Sequence, residues 1–180
     1  MYVAESGFQA VYESFHDRIL RYLSRLAGEA EAEDLTQEVF LKVSRSLGDF
    51  RGESQLSTWI YRIATHAAID RLRAPAFQQA EGAEPFDEED FGTAALAQEP
   101  PQPDQELMRK EMYDCFGEFV KHLPAQYRAV IILSELEEMP NREIADILGL
   151  TLETVKMRLH RGRALLFAQL QKHCKAEDWL

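Results

Sequence analysis

A chain of 180 residues has room for one domain of ordinary size or two small ones. Its hydrophobic content of 46% supports packed cores, while 31 acidic against 20 basic side chains leave a net charge of −11. The opening MYVAESGF is mixed and acidic, unlike a secretory leader, and no apolar run approaches the roughly 20 residues that membrane insertion needs.

The elements read as helices from the start. Phe8, Val11, Tyr12, Phe15, Ile19, Leu23 and Leu26 recur at three- and four-residue steps, which predicts an amphipathic helix over 5–27 that stops at Gly28. A second helix is predicted over 31–47, with Leu35, Val39, Val43 and Leu47 on one stripe. Asp34, Gln37, Glu38, Leu41 and Lys42 form its exposed stripe, which by itself fits any solvated face. The loop Gly48–Ser54 follows, and then a third helix over 55–73 with Leu56, Ile60, Ile63 and Ala67 inward. Phe50, Arg51, Ser54, Thr58, Trp59 and Arg62 pair a glycine-containing loop with aromatic and basic residues. Such a surface suits a base unstacked from single-stranded DNA. His66, Arg71 and Arg73 extend the basic face, and Trp59 fits a loop-anchoring aromatic equally well.

Residues 76–104 break the pattern. The stretch 81–111 carries 10 acidic and 2 basic side chains, so it holds −8 of the net −11. Low hydrophobicity and high charge predict a flexible acidic linker, closed by Pro100, Pro101 and Pro103. Beyond it, Met108, Met112, Cys115, Phe116, Phe119 and Leu123 predict another helix from near Asp104. Pro124 suits the first turn of the next. The expected fold is all-α: two small helical domains, 1–75 and 105–180, on one tether.

Two cysteines, Cys115 and Cys174, lie far apart without metal-binding spacing, which points to a reducing cytoplasm. His173-Cys174 lacks the further ligands that zinc requires. No glycine-rich phosphate loop or nucleophile–base pair stands out. The expectation is a protein that is not an enzyme, with no cofactor, no metal and no small-molecule substrate.

Asn141–Lys156 is the strongest local signal. Ile144 and Leu148 face inward, Ala145 is small at a helix crossing, Gly149 suits a left-handed turn, and Thr151 suits an N-cap. Val155 and Leu159 anchor a second helix, predicted over 152–171. That helix carries Thr154, Lys156, Met157, Arg158, His160, Arg161 and Arg163, with four basic residues and no acid between 156 and 163. A helix of this kind enters the major groove, where Arg pairs with guanine and Lys holds phosphate.

With these motifs in view, the chain resembles the extracytoplasmic-function (ECF) sigma factors of the sigma-70 family. Four blocks carry the resemblance: DLTQEVFLKV (34–43), FRGESQLSTWIYRIATHAAIDRLR (50–73), LPAQYRAVIIL (123–133) and EIADILGLTLETVKMRLHRGRALL (143–166). The resemblance implies a transcription initiation factor of the bacterial cytoplasm. It implies that Asp34, Leu35, Gln37, Glu38, Leu41 and Lys42 dock on the β′ clamp helices of core RNA polymerase. By it, Phe50, Arg51, Ser54, Thr58, Trp59, Arg62, His66, Arg71 and Arg73 melt and read the −10 promoter element. The C-terminal part would bind the β flap and read the −35 element. There Lys156, Met157, His160 and Arg161 would face bases or adjacent phosphates, with Thr154 beside them. Arg158 and Arg163 would serve backbone contact or packing. An anti-sigma factor is a further implied partner. Three positions depart from the family pattern: His66 stands where Asn is common, Met157 and His160 lie at variable positions, and Pro140-Asn141 replaces a Ser-Tyr type pair. They bear on promoter sequence, not on the general role. Two other readings compete: a free-standing helix-turn-helix regulator, and a helical adaptor using its basic helix on an acidic protein.

Overall fold

The structure is a computed structural model that describes residues 2–73 and 119–173, and its regular elements are all helical. They are α1 (Tyr2–Ala27), α2 (Glu29–Ser46), a 3₁₀ turn (Leu47–Asp49), α3 (Leu56–Arg73), α4 (Ala125–Ile131), α5 (Asn141–Leu148) and α6 (Leu152–His173). The expected all-α class holds. The acidic linker 76–104, the positions Met108, Met112, Cys115 and Phe116, and Cys174 lie outside the described residues.

Helices α1, α2 and α3 pack pairwise around Ile19, Leu23, Leu26, Leu35, Val39, Val43, Ile60 and Ala64, all buried. A polar pin crosses this core. The Tyr22 ring meets Tyr61 edge-on at 5.0 Å, and its hydroxyl lies 2.7 Å from Thr65 Oγ1. Thr65 donates its own proton to the Tyr61 carbonyl at 2.6 Å, so Tyr22 is the donor of the pair. Burial drives the Tyr22 phenol far above its ordinary pKa, and the Thr65 bond offsets only part of that. The buried phenol therefore stays neutral.

Helices α4, α5 and α6 close around Val130, Ile131, Leu133, Ile144, Ile147, Val155 and Leu159. The chain does not leave α4 abruptly. Ile132–Leu136 form a π-helical turn, and Glu137 N–H reaches back to the Ile132 carbonyl at 3.0 Å. The backbone then turns through Glu138 at φ 54. This exit carries Glu137 toward α1 and α3.

The two groups of helices meet. Arg128 in α4 donates to the Leu26 carbonyl at 2.9 Å, satisfying an acceptor that the last turn of α1 leaves open. Two further guanidinium bonds reach the Leu123 carbonyl at 3.1 and 3.2 Å. Helix α5 lies along α3.

One constraint was invisible in the motif. At Gly162, α6 crosses α4 so closely that an added Cβ would sit 2.9 Å from Ile131 Cγ1 and 3.4 Å from Tyr127 Cβ. Ile131 is fully buried and cannot swing aside. Gly162→Ala gains about 1 kcal/mol of helix propensity but overpacks the core at a cost of about 1–3 kcal/mol. A lower urea midpoint with an unchanged m-value is expected; a higher midpoint would show that the crossing has slack.

Candidate nucleic-acid interface

Helices α5 and α6 form the corner expected of a helix-turn-helix. Gly149 ends α5 at φ 64, ψ 35, a left-handed conformation that lacks steric cost only for glycine. Leu150 N–H returns to the Ala145 carbonyl at 3.0 Å and Leu150 packs against the core. Thr151 then caps α6: its Oγ1 accepts from Thr154 N–H at 3.1 Å and lies 2.8 Å from the Thr154 hydroxyl.

Val155 and Leu159 hold α6 inward, which turns the faces between them out. Lys156, Met157, His160 and Arg161 are exposed at i, i+1, i+4 and i+5, so they share one face. Met157 is 44% exposed and adds an apolar side chain to this face. Thr154 and Arg158 are half-buried at its edge. Arg163 stands apart: its guanidinium holds Glu135 Oε1 at 2.6 and 3.0 Å, tying α6 to the π turn after α4.

The loop–α3 surface is divided. Arg51, His66 and Arg73 are exposed, and Ser54 is half-buried. Phe50 and Trp59 stack at 5.2 Å between centroids, so Trp59 anchors the loop, one of its two expected roles. Thr58 is only 1% exposed and donates to Glu143 Oε2 on α5 at 2.9 Å. Arg62 Nε donates to the Asp146 carbonyl at 3.0 Å. Arg71 is engaged by Glu31 and, at 3.6 Å, by Glu38 on α2. In this arrangement Thr58 and Arg62 therefore face α5, and Arg71 faces α2.

On α2, Asp34, Gln37, Leu41 and Lys42 are exposed, with Leu41 at 55%. Glu38 is half-buried and bonds Lys42 at 2.7 Å. Leu35 is wholly buried, so it supports this surface from beneath and does not belong to it. Gln37 and Leu41 rim a groove between α1 and α2, floored by Phe8, Tyr12 and Phe40, that the stripe alone did not reveal.

Four further polar residues escaped the sequence reading: Gln55, Glu137, Glu143 and the Asp146 carbonyl. Gln55 Nε2 reaches Glu143 Oε1 at 3.4 Å. Glu137, with its side chain only 9% exposed, accepts a hydrogen bond from Tyr61 and lies 3.7 Å from both Arg18 and Arg25. Burial, then the Glu137 bond, pushes the Tyr61 phenol above its ordinary pKa and keeps it a donor. Among the described residues, no group of three or more His, Cys, Asp or Glu is placed to hold a metal, and no helix is long and apolar enough to cross a membrane.

Comparison with known proteins places this geometry. The "Sigma-70 region 2" family model matches residues 11–76, and the "Sigma-70, region 4" model matches 113–166. The ECF RNA polymerase sigma factor SigW of Bacillus subtilis is 32% identical, over 93% of this chain and 90% of the relative. RNA polymerase sigma factor YlaC of the same organism is 33% identical, over 95% and 96%. Among solved structures, the sigma factor RpoE of Bartonella quintana, in complex with the anti-sigma factor NepR, superposes with a TM-score of 0.64 at 22% identity, covering 94% of this chain and 99% of that one. CnrH in complex with the cytosolic domain of CnrY gives 0.64 at 21%, over 94% and 90%.

The cap on α6 sets where its exposed face begins. Thr151→Ala is expected to cost about 1 kcal/mol, and to speed amide exchange in the first turn of α6 about fivefold. Unchanged exchange at residues 152–156 would show that the cap is idle.

Proposed function

The chain belongs to the extracytoplasmic-function sigma factors of the sigma-70 family, which direct promoter-specific transcription initiation, and we propose how its parts share that task. Residues 1–75 act as the unit that binds core polymerase and opens the −10 element. Residues 105–180 act as the −35 reader, and 76–104 tether them. The carrying observation is the exposed face of Lys156, Met157, His160 and Arg161, on a helix started by Gly149 and Thr151. It presents cationic and apolar groups, with no acid, on an otherwise acidic chain.

Asp34, Gln37, Leu41 and Lys42 dock on the β′ clamp helices, with Glu38 at the margin and Leu35 as support. Phe50, Arg51, Ser54, Trp59, His66 and Arg73 meet the −10 strand, joined by Thr58, Arg62 and Arg71 once those are released. The C-terminal unit rests on the β flap. Arg163 positions α6 through Glu135, while Thr154 and Arg158 flank the bases. The chain catalyses nothing itself and lends specificity to an enzyme; its place of action is the cytoplasm. An anti-sigma factor is its proposed regulator, as NepR is the partner of RpoE in the complex above.

Two weak readers on one body gain affinity through effective concentration when polymerase fixes their spacing. Core polymerase plus this chain, offered a randomised promoter library, is therefore expected to select paired −35 and −10 sequences. Transcripts without any selected sequence would contradict the reading. Arg161→Ala is expected to lose about 1–3 kcal/mol of discrimination at one −35 base pair. A uniform loss over all −35 variants would assign Arg161 to phosphate instead.

A further inference from the structure

The residues that α6 brings to the proposed DNA surface are not equally free to read a base. The hydroxyl of Thr154 lies 2.8 Å from that of Thr151 in the N-cap, and the guanidinium of Arg163 is held by Glu135 at 2.6 and 3.0 Å. Arg158 is half-buried. Lys156, Met157, His160 and Arg161 remain, all exposed on one face. Lysine and arginine take guanine O6 and N7 or a phosphate oxygen, and a histidine N–H takes the same acceptors. Adenine is paired bidentately by the side-chain amide of Asn or Gln, and this face carries neither. Its hydrogen-bonding groups are therefore fitted to guanine and phosphate. Met157 is the exception. The other exposed large apolar side chains among the described residues, Tyr12 and Leu41, line the α1–α2 groove, whereas Met157 stands among cations.

We propose that Met157 reads the C5-methyl group of a thymine and so specifies an A·T pair in the −35 element. The major-groove code of B-DNA is written in hydrogen-bond donors and acceptors, with that methyl as its one apolar group. A thioether set against guanine O6 and N7, cytosine N4 or adenine N6 would strip water from a polar group and return no good bond. Against the methyl it removes two apolar surfaces from water, and its unbranched, polarizable chain adapts to the position of the contact. The preference is thus attractive toward thymine and exclusive of the other bases. The helix fixes where the thymine lies. Met157 and Arg161 stand about one turn apart, about 6 Å along the axis, while base pairs stack about 3.4 Å apart. The thymine is therefore one or two base pairs from a guanine taken by Arg161. What Met157 recognises is a methyl group and not a base. 5-Methylcytosine carries the same group on the same carbon, so methylation of a cytosine placed at this pair strengthens binding.

The role of Met157 rests on the proposed assignment of α6 to the −35 element, and the test separates the two. Full-length parent, Met157→Ser and Met157→Leu are each combined with core polymerase, with the fold of the variants checked by circular dichroism. Complex formation is measured by competition on the promoter selected in transcription. Each thymine of the −35 element is replaced in turn by deoxyuridine, which lacks only the C5-methyl. One replacement is expected to weaken the parent complex about fourfold, the worth of one methyl taken out of water. With that pair rebuilt as C·G, 5-methylcytosine is expected to bind about fourfold more tightly than cytosine. Both methyl effects are expected to vanish in Met157→Ser and to persist in Met157→Leu, which stays apolar, while the preference at the Arg161 guanine is kept in both. A selected −35 element in which no thymine can be lost to deoxyuridine at a cost overturns the role of Met157 and leaves the −35 reading standing. So does a methyl effect that survives in Met157→Ser. A parent chain that selects no −35 sequence on core polymerase overturns the reading of α6, and the role of Met157 with it. If Arg161 holds phosphate instead of guanine, the methyl effect and its loss in Met157→Ser decide alone.

Discussion

The carboxylate of Glu137 is the contact on which the arrangement of this molecule turns. It comes from the C-terminal helices, yet its partners are Tyr61 of α3 and Arg18 and Arg25 of α1. A carboxylate this shielded is costly unless paired and hydrogen-bonded. The π turn at Ile132–Leu136 delivers it to that position, and the Tyr22–Tyr61–Thr65 pin holds its phenol partner still. Remove any of these and the carboxylate is left without a satisfied place. The interaction therefore fixes where the C-terminal helices sit more than it adds to how firmly they sit.

That distinction matters for the proposed function, in which Thr58 and Arg62 are released to meet DNA. Arg18 is exposed and Arg25 half-buried, so their attraction to Glu137 is partly screened and modest in size. The Thr58–Glu143 and Arg62–Asp146 contacts are polar and can be exchanged for water or another acceptor. An interface held by such exchangeable bonds is specific in register yet separable. By contrast, the corner of α5 and α6 is tied by Gly149 and Thr151, and α6 is seated on α4 at the Gly162 crossing; these have no such substitutes. The α5–α6 corner is thus fixed within itself, while the contacts that hold it to α3 are exchangeable, as the proposed −35 reader requires.

The sequence disclosed the elements and the corner, and the reasons are local. Helical periodicity is printed in the apolar residues of 5–27, 31–47 and 55–73. Gly149 and Thr151 declare their geometry because a left-handed turn and an N-cap admit few residue types. Other features depend on residues far apart in the chain. Thr58 and Glu143 look like ordinary polar positions until α5 lies on α3, and nothing in the spacing of either announces the other. Leu35 reads as part of both a core stripe and a docking face; only packing assigned it to the core. Gly162 gave no signal because a glycine inside a basic helix can be mere tolerance, and the Ile131 side chain that demands it sits 31 positions earlier in the sequence. The acidic character of the chain misleads in the same way, since net charge says nothing about which face of α6 is left bare.

The central claim is that the same contacts hold the free chain closed and are given up on polymerase. Pulsed electron–electron resonance tests it most directly, with spin labels at Asp70→Cys in α3 and Arg142→Cys in α5, both exposed positions, and with Cys115 and Cys174 replaced by serine. The free chain should give one short, narrow distance distribution, replaced by a longer one when core RNA polymerase is added. A distribution that core polymerase leaves unchanged, or one already long and broad in the free chain, would contradict the account.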